Sequence, residues 1–334
     1  GGIRVLFLGC DGGATKYAYL LCDEHGRVHA CKTLKGINII TEGMEAFVNG
    51  IRAHIGEVFS GTGLNPRDVT WCAFGLSGYG ESRSSAKDMT GAVAAALGHE
   101  RFFICNDSVT GWSGALMLRP GISVAAGTGS VAYGQDPLGH GARAGGWSIR
   151  YGDEGSSYWI ATGLLNLFFR QADGRLPRTL LYDHFMRKLD LTDPLYFPMA
   201  IEEYLGSGIS GIAAFQREAL LLYQLGDPQV KGLYARAAKE LAELVAALMN
   251  RLSFPAGQPV EVSYSGGLFR GGDCILQPFS REIGGLGAVL TEPAYGPLVG
   301  AACYAAKDRL TQDALSWMFV HVGKSLSDIQ TEIG

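Results

Sequence analysis

Leu8-Gly9-Cys10-Asp11-Gly12-Gly13-Ala14-Thr15-Lys16 is the stretch of this sequence that decides the fold. Apolar residues lead into it at 5–8 and out of it at 17–22, which predicts a strand, a glycine turn and a second strand. Glycines let backbone N–H groups approach an anion closely, and Thr15 and Lys16 add a hydroxyl group and a positive charge. Asp11 stands at the strand end, where a carboxylate can hold a metal ion or its waters. The pattern indicates a phosphate-binding turn, and an ordinary glycine hairpin is the alternative.

Two common nucleotide-binding motifs do not describe this stretch. The chain has no G-x-x-x-x-G-K-S/T sequence, and a P-loop leads into a helix rather than into a second strand. The glycine-rich turn of a dinucleotide-binding domain also leads into a helix. The turn is therefore neither a P-loop nor a dinucleotide-binding fingerprint.

The composition indicates a globular protein of two domains. The chain has 334 residues, and a hydrophobic content of 47% provides a sizeable core. Charged residues make up 18% of the chain and the formal net charge is −4, so we expect no nucleic-acid partner. The 48 glycines are about twice the usual share of roughly 7%. Many of them end apolar runs, which indicates several loops where the backbone approaches a ligand.

The seven cysteines lie mostly in apolar runs and include no C-x-x-C pair, which is typical of small buried side chains in a reducing compartment. The histidines show no spacing typical of metal ligands, so the sequence argues against a zinc or iron–sulfur site in this chain. No apolar stretch is long enough to span a membrane, and the N-terminal residues lack the pattern of a signal peptide. We therefore expect a cytoplasmic protein with no membrane partner.

Strands and helices alternate through the first third of the chain, which predicts a mostly parallel sheet with right-handed crossovers. In such sheets the ligand lies beyond the carboxyl ends of the strands. Three predicted strand ends carry polar residues or glycine: Asp11, Ser77 with Gly78, and Asp107. Asn38 is a further polar residue in an apolar stretch, and it either caps the helix that follows, satisfies a turn or holds a ligand hydroxyl group.

The opening pattern repeats after residues 119–121. Residues 122–126 are predicted to form a strand, Gly127-Thr128-Gly129-Ser130 a turn of glycines and hydroxyl groups, and residues 131–134 a second strand. Such a duplication predicts two similar domains, and a chance repeat of Gly/Thr turns is the alternative. Two phosphate-type hairpins, one in each domain, would hold a nucleotide tail from both sides.

Later segments carry polar and aromatic residues with two interpretations each. Trp147, in the sequence Gly145-Gly146-Trp147, either stacks on a sugar or belongs to the core. Asp153 either binds sugar hydroxyl groups or favours the N-terminus of the following helix. Ser265-Gly266-Gly267 follows a predicted strand at 260–264 and suits the approach of a flat, uncharged group such as a nucleoside, or is an ordinary turn. The clearest helix is predicted at 231–252, where apolar residues form one stripe.

A set of motifs runs in order over nearly the whole chain: Asp11-Gly12-Gly13 with Thr15-Lys16, Asn38, Gly75-Leu76-Ser77-Gly78, Asp107, Gly127-Thr128-Gly129-Ser130, Gly145-Gly146-Trp147, Gly152-Asp153-Glu154-Gly155-Ser156 with Tyr158-Trp159-Ile160, Ser265-Gly266-Gly267, and Glu292-Pro293 followed by Gly296. As a set, these motifs resemble the actin/hexokinase/Hsp70 ATPase superfamily. More closely, they resemble the BadF/BadG/BcrA/BcrD-type ATPase family, which includes N-acetylglucosamine kinases. The combination of GTGS, GGW and GDEGSxYWI is specific, whereas any one piece is weak.

The resemblance implies an α/β protein with two similar ribonuclease H-like (actin-like ATPase) domains facing a central cleft. It implies a first domain at residues 1–118 plus about 308–334, and a second domain with a helical insertion at residues 119–307. It also implies transfer of the γ-phosphoryl group of ATP to the 6-hydroxyl group of N-acetylglucosamine or a related amino sugar such as glucosamine, with Mg²⁺ as cofactor.

By the same resemblance, Asp107 accepts the proton of the sugar hydroxyl group and Asp11 holds Mg²⁺ through water. The residues implied to bind the ATP phosphates are Gly12, Gly13, Thr15, Lys16, Gly127, Thr128, Gly129 and Ser130. Those implied to lie near the adenosine are Ser265, Gly266 and Gly267. Those implied to bind the sugar are Asn38, Ser77, Asp107, Gly146, Trp147 and Asp153. The expected partners are thus ATP and an amino sugar, with a homodimer as the candidate assembly.

Two positions depart from the family pattern. Ala14 replaces a third glycine in the first loop, and Ile40 stands where animal N-acetylglucosamine kinases have an aromatic residue, so the resemblance leaves the exact sugar open. Two other functions are alternatives. One is an ATPase activator of a 2-hydroxyacyl-CoA dehydratase, which uses clustered cysteines, and the other is a sugar sensor without catalysis.

Overall fold

The computed structural model describes residues 5–333 except for residues 14, 38, 81 and 207. The strands in this part of the chain are β1 (Leu6–Gly12), β2 (Lys16–Asp23), β3 (Val28–Lys35), β4 (Trp71–Leu76), β5 (Phe102–Cys105), β6 (Gly121–Ala126), β7 (Ser130–Gln135), β8 (Gly141–Gly145), β9 (Val260–Ser265) and β10 (Ala288–Leu290). The helices are α1 (Ile39–Phe59), α2 (Arg83–Leu97), α3 (Asp107–Leu116), α4 (Ser157–Ala172), α5 (Leu180–Lys188), α6 (Phe197–Leu205), α7 (Ile209–Ala214), α8 (Gln216–Gln224), α9 (Pro228–Arg251), α10 (Asp273–Gly284), α11 (Pro297–Ala306) and α12 (Gln312–Ile333). Helix α1 is kinked at Gly43, where φ is +83°.

The chain divides into two compact units. The first comprises the residues up to Pro120 together with those from Glu292 onward, and the second comprises Gly121–Thr291. The sequence placed residues 119–307 in the second domain, whereas α11 belongs to the first unit. Helix α11 packs directly on β1. The two backbones approach so closely that a Cβ atom at Gly9 would lie 2.3 Å from the amide nitrogen of Ala302.

The first unit is built on a five-stranded sheet in the order β3-β2-β1-β4-β5. The β1–β2 and β2–β3 pairs are antiparallel, whereas β4 is parallel to β1 and β5 is parallel to β4. The β1–β2 hairpin pairs Gly12 with Tyr17, so the glycine turn lies at its tip. Leu8 and Cys10 pack with residues of α1 and α2, and Phe7 packs with residues of α11 and α12. The sheet is therefore covered by helices on both faces, as an α/β fold requires.

The second unit repeats this sheet. Its strand order is β10-β9-β6-β7-β8, with β6–β7 and β7–β8 antiparallel and with β9 parallel to both β6 and β10. Strands β6 to β8 thus correspond to β1 to β3, and β9 and β10 correspond to β4 and β5. Two separate sheets with the same order and directions confirm the predicted pair of similar α/β domains.

Helices α4 to α9, which lie between β8 and β9 in the sequence, give the second unit a large helical layer. Apolar residues of α9, such as Leu241 and Val245, join the core of this unit. An aromatic cluster joins α4 to α5 and α6, with the Phe168 and Phe197 rings stacked at a centroid distance of 4.0 Å and Phe185 against both. Among the helices that the structure describes, none combines the length and the apolar content needed to cross a lipid bilayer.

Candidate active site

The parallel strands of the first unit end side by side. Asp11 of β1 is in register with Gly75 of β4, and Gly75 is in register with Cys105 at the end of β5. Asp107 follows β5 after one residue and begins α3. The carboxylates of Asp11 and Asp107 therefore belong to the same edge of the sheet, which is where ligands bind in open α/β sheets.

Asp107 is held at the start of a helix, and its neighbour supplies the cap. The Asn106 side-chain oxygen accepts hydrogen bonds from the backbone N–H of Ser108 at 3.1 Å and from the Ser108 hydroxyl group at 2.6 Å. The Thr110 hydroxyl group donates to the Asp107 carbonyl oxygen at 2.9 Å. Thr110 also packs on β4 so closely that a Cβ atom at Gly75 would lie 2.2 Å from its Oγ1. The backbone of Asp107 is thus fixed relative to the sheet.

Asp11 lies in an unfavourable environment for a negative charge. Burial raises its pKa to about 6, the nearby charge of Asp107 adds to the increase, and Lys16 acts in the opposite direction. Two carboxylates that disfavour each other's charge form a suitable place for a cation. Among the described residues, no group of three or more His, Cys, Asp and Glu side chains could hold a metal ion. Mg²⁺ usually binds proteins through one or two carboxylates together with waters and substrate phosphates, and this pair of carboxylates is chemically compatible with that mode.

The two described glycines of the first turn have different environments. Gly12 is buried, and a Cβ atom there would lie 2.5 Å from the Tyr17 ring, so this glycine permits the packing of the hairpin. Gly13 donates its N–H group to the Lys16 carbonyl oxygen at 2.9 Å, and the same oxygen would be the nearest atom to an added Cβ, at 3.9 Å. Thr15 and Lys16 are exposed, so their side chains are accessible to an anion.

Ser77 is exposed just beyond β4, and its backbone N–H donates to the Gly12 carbonyl oxygen at 2.9 Å. This hydrogen bond joins the end of β4 to the first glycine turn. Asn38, which the sequence predicted as a sugar ligand or a helix cap, lies outside the described residues, as does Ala14.

In the second unit, the turn between β6 and β7 rests on the first residues of α4. The Gly127 N–H donates to the Gly129 carbonyl oxygen at 2.9 Å, which closes the turn. The carbonyl oxygens of Gly127 and Thr128 accept hydrogen bonds from the backbone N–H groups of Ser157 at 2.9 Å and Tyr158 at 3.4 Å. The first N–H groups of α4 are therefore used to hold this turn, while Thr128 is exposed at its tip.

Ser130 and Asp153 both lie against this turn. Ser130 is buried, and its hydroxyl group donates to the Glu154 carbonyl oxygen at 2.7 Å. Asp153 is also buried, with a φ of +58°, and a Cβ atom at Gly129 would lie 2.4 Å from the Asp153 Oδ2 atom. Asp153, which was predicted to bind the sugar, thus contacts the turn at residues 127–130, which was predicted to bind phosphate.

A second glycine loop of the second unit, Ser265-Gly266-Gly267, lies beside the turn between β6 and β7. Ser265 of β9 is in register with Ala125 of β6, so both loops follow the carboxyl ends of neighbouring parallel strands. Gly266 has a φ of +101°, and a Cβ atom there would lie 2.3 Å from the Ala126 carbonyl oxygen. Gly266 and Gly267 are exposed, which leaves their backbone accessible to a ligand.

Trp147 is 72% exposed, so it is not part of the core. It follows Gly145 and Gly146, whose φ angles of +73° and +71° are both in the left-handed region that favours glycine. Sequence reasoning did not single out Arg143, whose guanidinium group donates hydrogen bonds to the carbonyl oxygens of both glycines. Its place two residues before a glycine pair was the one available signal.

Comparison with known proteins identifies the family. A model of the BadF/BadG/BcrA/BcrD ATPase family matches residues 8–305. The chain belongs to the BadF/BadG/BcrA/BcrD ATPase family. The chain is also similar to the N-acetylmuramic acid/N-acetylglucosamine kinase of Clostridium acetobutylicum, with which it is 26% identical over 82% of this chain and 89% of the relative. The N-acetyl-D-glucosamine kinase of Dictyostelium discoideum is 27% identical over 79% of this chain and 85% of that protein.

A solved structure gives the same fold. The chain aligns with a candidate N-acetylglucosamine kinase from Chromobacterium violaceum at a TM-score of 0.69 and 24% sequence identity, over 90% of this chain and 98% of the other. This BadF/BadG/BcrA/BcrD ATPase therefore has the two-domain actin-like ATPase fold that the sequence predicted. Membership of an ATPase family also implies that the chain uses ATP.

Proposed function

We propose that this protein is an ATP-dependent amino-sugar kinase that phosphorylates the 6-hydroxyl group of N-acetylglucosamine or of a related sugar such as glucosamine. The observation that carries the proposal is Asp107, a carboxylate held at the first position of α3 beside Asp11 and at the carboxyl edge of the sheet. The two curated relatives named above are kinases of N-acetylated amino sugars, which supports the choice of substrate.

In the proposed reaction, the oxygen of the sugar hydroxyl group attacks the γ-phosphorus of ATP, and Asp107 accepts the proton of that hydroxyl group. The bond from that phosphorus to the β–γ bridging oxygen breaks, and ADP leaves. Phosphoryl transfer depends mainly on positioning and on stabilisation of charge, so a fixed carboxylate and several backbone donors are sufficient protein groups. A Mg²⁺ ion would neutralise phosphate charge, and Asp11 is the side chain that would hold it, through water.

The remaining roles follow the environments described above. The residues proposed to bind phosphate are Gly12, Gly13, Thr15, Lys16, Gly127, Thr128, Gly129 and Ser130. Among these, Gly12 and Ser130 are buried and would act by shaping their loops, whereas Thr15, Lys16 and Thr128 are accessible. The exposed backbone at Gly266 and Gly267 suits the adenosine, together with Ser265.

The proposed sugar ligands are Asn38, Ser77, Gly146, Trp147 and Asp153, besides Asp107. The exposed indole of Trp147 offers a flat apolar face, which suits the C–H face of a sugar ring. Asp153 touches the Gly127-Thr128-Gly129-Ser130 turn between β6 and β7, which we call the second-unit phosphate turn. Its carboxylate could therefore bind a sugar hydroxyl group close to the transferred phosphate. A cytoplasmic location and a homodimer remain predictions from the sequence.

The dehydratase-activator alternative is disfavoured by the state of the cysteines. Five of the seven thiols are buried and the other two, Cys31 and Cys105, are half-buried. Burial raises the pKa of every one of them, which favours the neutral thiol over the thiolate that binds iron. An absorbance band at about 400 nm in anaerobically purified protein would instead support an iron–sulfur activator.

A coupled assay of ADP release over a panel of amino sugars tests the proposal. We expect sugar-dependent ADP release with N-acetylglucosamine, glucosamine or N-acetylmuramic acid, and formation of the sugar 6-phosphate by mass spectrometry. Sugar binding by calorimetry without any phosphorylated product would instead support the sensor. ADP release that no sugar stimulates would contradict a kinase.

A further inference from the structure

The loop that presents Trp147 starts from two consecutive residues in the left-handed conformation, Gly145 and Gly146. Gly145 is the last residue of β8, and Gly146 lies just beyond it, so the carbonyl groups of this pair need partners where the regular ladder ends. Arg143 supplies both partners from within β8. Its Nε–H donates to the Gly145 carbonyl oxygen at 3.3 Å, and its Nη2 donates to the Gly146 carbonyl oxygen at 2.6 Å.

The guanidinium group and the glycine pair are fitted to each other. A Cβ atom at Gly146 would lie 2.6 Å from the Arg143 Nη2 atom, so a side chain there would displace the guanidinium group. A planar guanidinium carries several N–H donors in a fixed fork and can bind two carbonyl oxygens at once, whereas a lysine ammonium is a single point. Helix α9 anchors the same residue, because the Arg251 Nη1 donates to the Arg143 carbonyl oxygen at 2.6 Å.

Gly146 is also held from its other side. Its backbone N–H donates to the Ser130 carbonyl oxygen at 2.9 Å, at the end of the second-unit phosphate turn. Beyond Trp147, the loop closes on itself: the Gly152 N–H donates to the Ser148 carbonyl oxygen at 2.8 Å, and a Cβ atom at Gly152 would lie 3.0 Å from the Trp147 Cβ. The base of the loop is therefore fixed, and Trp147 stands exposed on it.

We propose that Arg143 is a positioning residue for the sugar: its guanidinium group clamps the Gly145–Gly146 turn and so sets the place of Trp147, an inference that rests on the proposed amino-sugar kinase function. Arg143 itself need not touch the sugar. Its loss releases the turn on one side, while the hydrogen bond from Gly146 to Ser130 and the neighbouring phosphate turn remain.

The kinetic test compares Arg143→Ala and Arg143→Lys with the wild type. Arg143→Ala should raise the sugar KM by roughly tenfold, while the ATP KM and kcat change by less than about threefold. Arg143→Lys should be intermediate, because lysine keeps the charge but not the fork. Arg175→Ala is the matched control: it removes an arginine of the same unit that pairs with Asp173 on the surface, and should leave both KM values unchanged. A purely structural role would instead lower the melting temperature and the active fraction and leave the sugar KM as it was.

A second readout needs no substrate. The chain has five tryptophans, so protein labelled with 5-fluorotryptophan should give five ¹⁹F resonances, with that of Trp147 assigned by Trp147→Phe. Arg143→Ala should shift or broaden the Trp147 resonance, and Arg175→Ala should not. If the wild type phosphorylates an amino sugar but Arg143→Ala keeps the sugar KM within about twofold, the inference is overturned. If no amino sugar is phosphorylated, the proposed function fails. The clamp is then judged by the Trp147 resonance alone: a change in Arg143→Ala would support it, and no change would overturn it as well.

Discussion

Asn106 caps α3, so the side chain of Asp107 can be changed without removing the cap. The variant Asp107→Asn keeps the shape and the ability to accept a hydrogen bond, but it removes the group that takes the proton. We expect kcat to fall by about 10²–10⁴-fold, the range usual for general-base catalysis. The sugar Kd, measured by calorimetry, should change far less.

The neighbouring variant Asn106→Ala separates catalysis from stability at this site. It removes the cap, so it should lower the free energy of unfolding by about 1 kcal/mol. Asp107→Asn should leave that free energy nearly unchanged. Near-normal turnover in Asp107→Asn would contradict the assignment of Asp107 as the base.

Asp11 should show a trade-off between stability and function. Its folded pKa of about 6 lies above the ordinary value of 3.8, so ionisation of Asp11 destabilises the folded protein as the pH rises from about 4 through 6. At 1.36 kcal/mol per pKa unit, this cost approaches about 3 kcal/mol near neutral pH. In metal-free protein, Asp11→Asn should therefore raise the free energy of unfolding, and by more at about pH 8 than at about pH 4.5.

Urea denaturation in EDTA at the two pH values measures this effect. The same variant should lose phosphoryl transfer, because asparagine replaces the carboxylate proposed to hold Mg²⁺. A stability gain that is equal at both pH values would show that the charge of Asp11 is not its cause.

At the scale of elements, α3 and α11 cross with their backbones in contact. A Cβ atom at Gly300 would lie 2.2 Å from the Thr110 carbonyl oxygen and 2.4 Å from the Gly114 amide nitrogen. Backbone on both sides cannot move aside as a flexible side chain can, so Gly300→Ala should cost about 1–3 kcal/mol of stability or more. Because α3 carries Asp107, kcat should fall as well.

Gly91→Ala is the matched control for Gly300→Ala. Gly91 lies on the exposed face of α2, and a Cβ atom there would meet nothing within 4 Å. Alanine at such a helical site should stabilise the protein by up to about 1 kcal/mol. Equal effects of the two substitutions in urea denaturation would show that the α3–α11 contact is looser than described.

Much of the element pattern can be predicted from the sequence, because it depends on local signals. The strand predicted at 260–264 is β9, and the helix predicted at 231–252 is α9. The prediction missed the first turn of α9, although the sequence contains its signal: Asp227 is the N-cap and Pro228 the first helical residue. The buried Asp227 carboxylate accepts hydrogen bonds from the backbone N–H groups of Gln229 and Val230. It also accepts one from Leu181, a contact across 46 positions that local patterns do not contain.

The candidate site was less predictable, because its details depend on packing between distant segments. Strand ends and glycine turns indicated where Asp11 and Asp107 would lie. They did not show that Ser130 is buried beneath Glu154, or that Trp147 is exposed. The assignment of α11 to the first unit depends on its contact with β1, nearly three hundred residues earlier in the sequence.

The chain leaves the first unit at Pro120 and returns to it at Glu292, so the second unit is one continuous insertion within a divided partner. On the ribosome, every residue of the insertion is made before α11 and α12, and emerges from the exit tunnel before they do. Until then Phe7 and Leu20 on the first sheet lack the helices that cover them. The segment synthesised second can thus finish folding first, because domains fold as units during synthesis. The half of the protein that begins translation must wait for its end. A ribosome-bound chain that ends at residue 291 and is followed by an unstructured linker long enough to span the exit tunnel should carry a protease-resistant second unit beside a protease-sensitive first one.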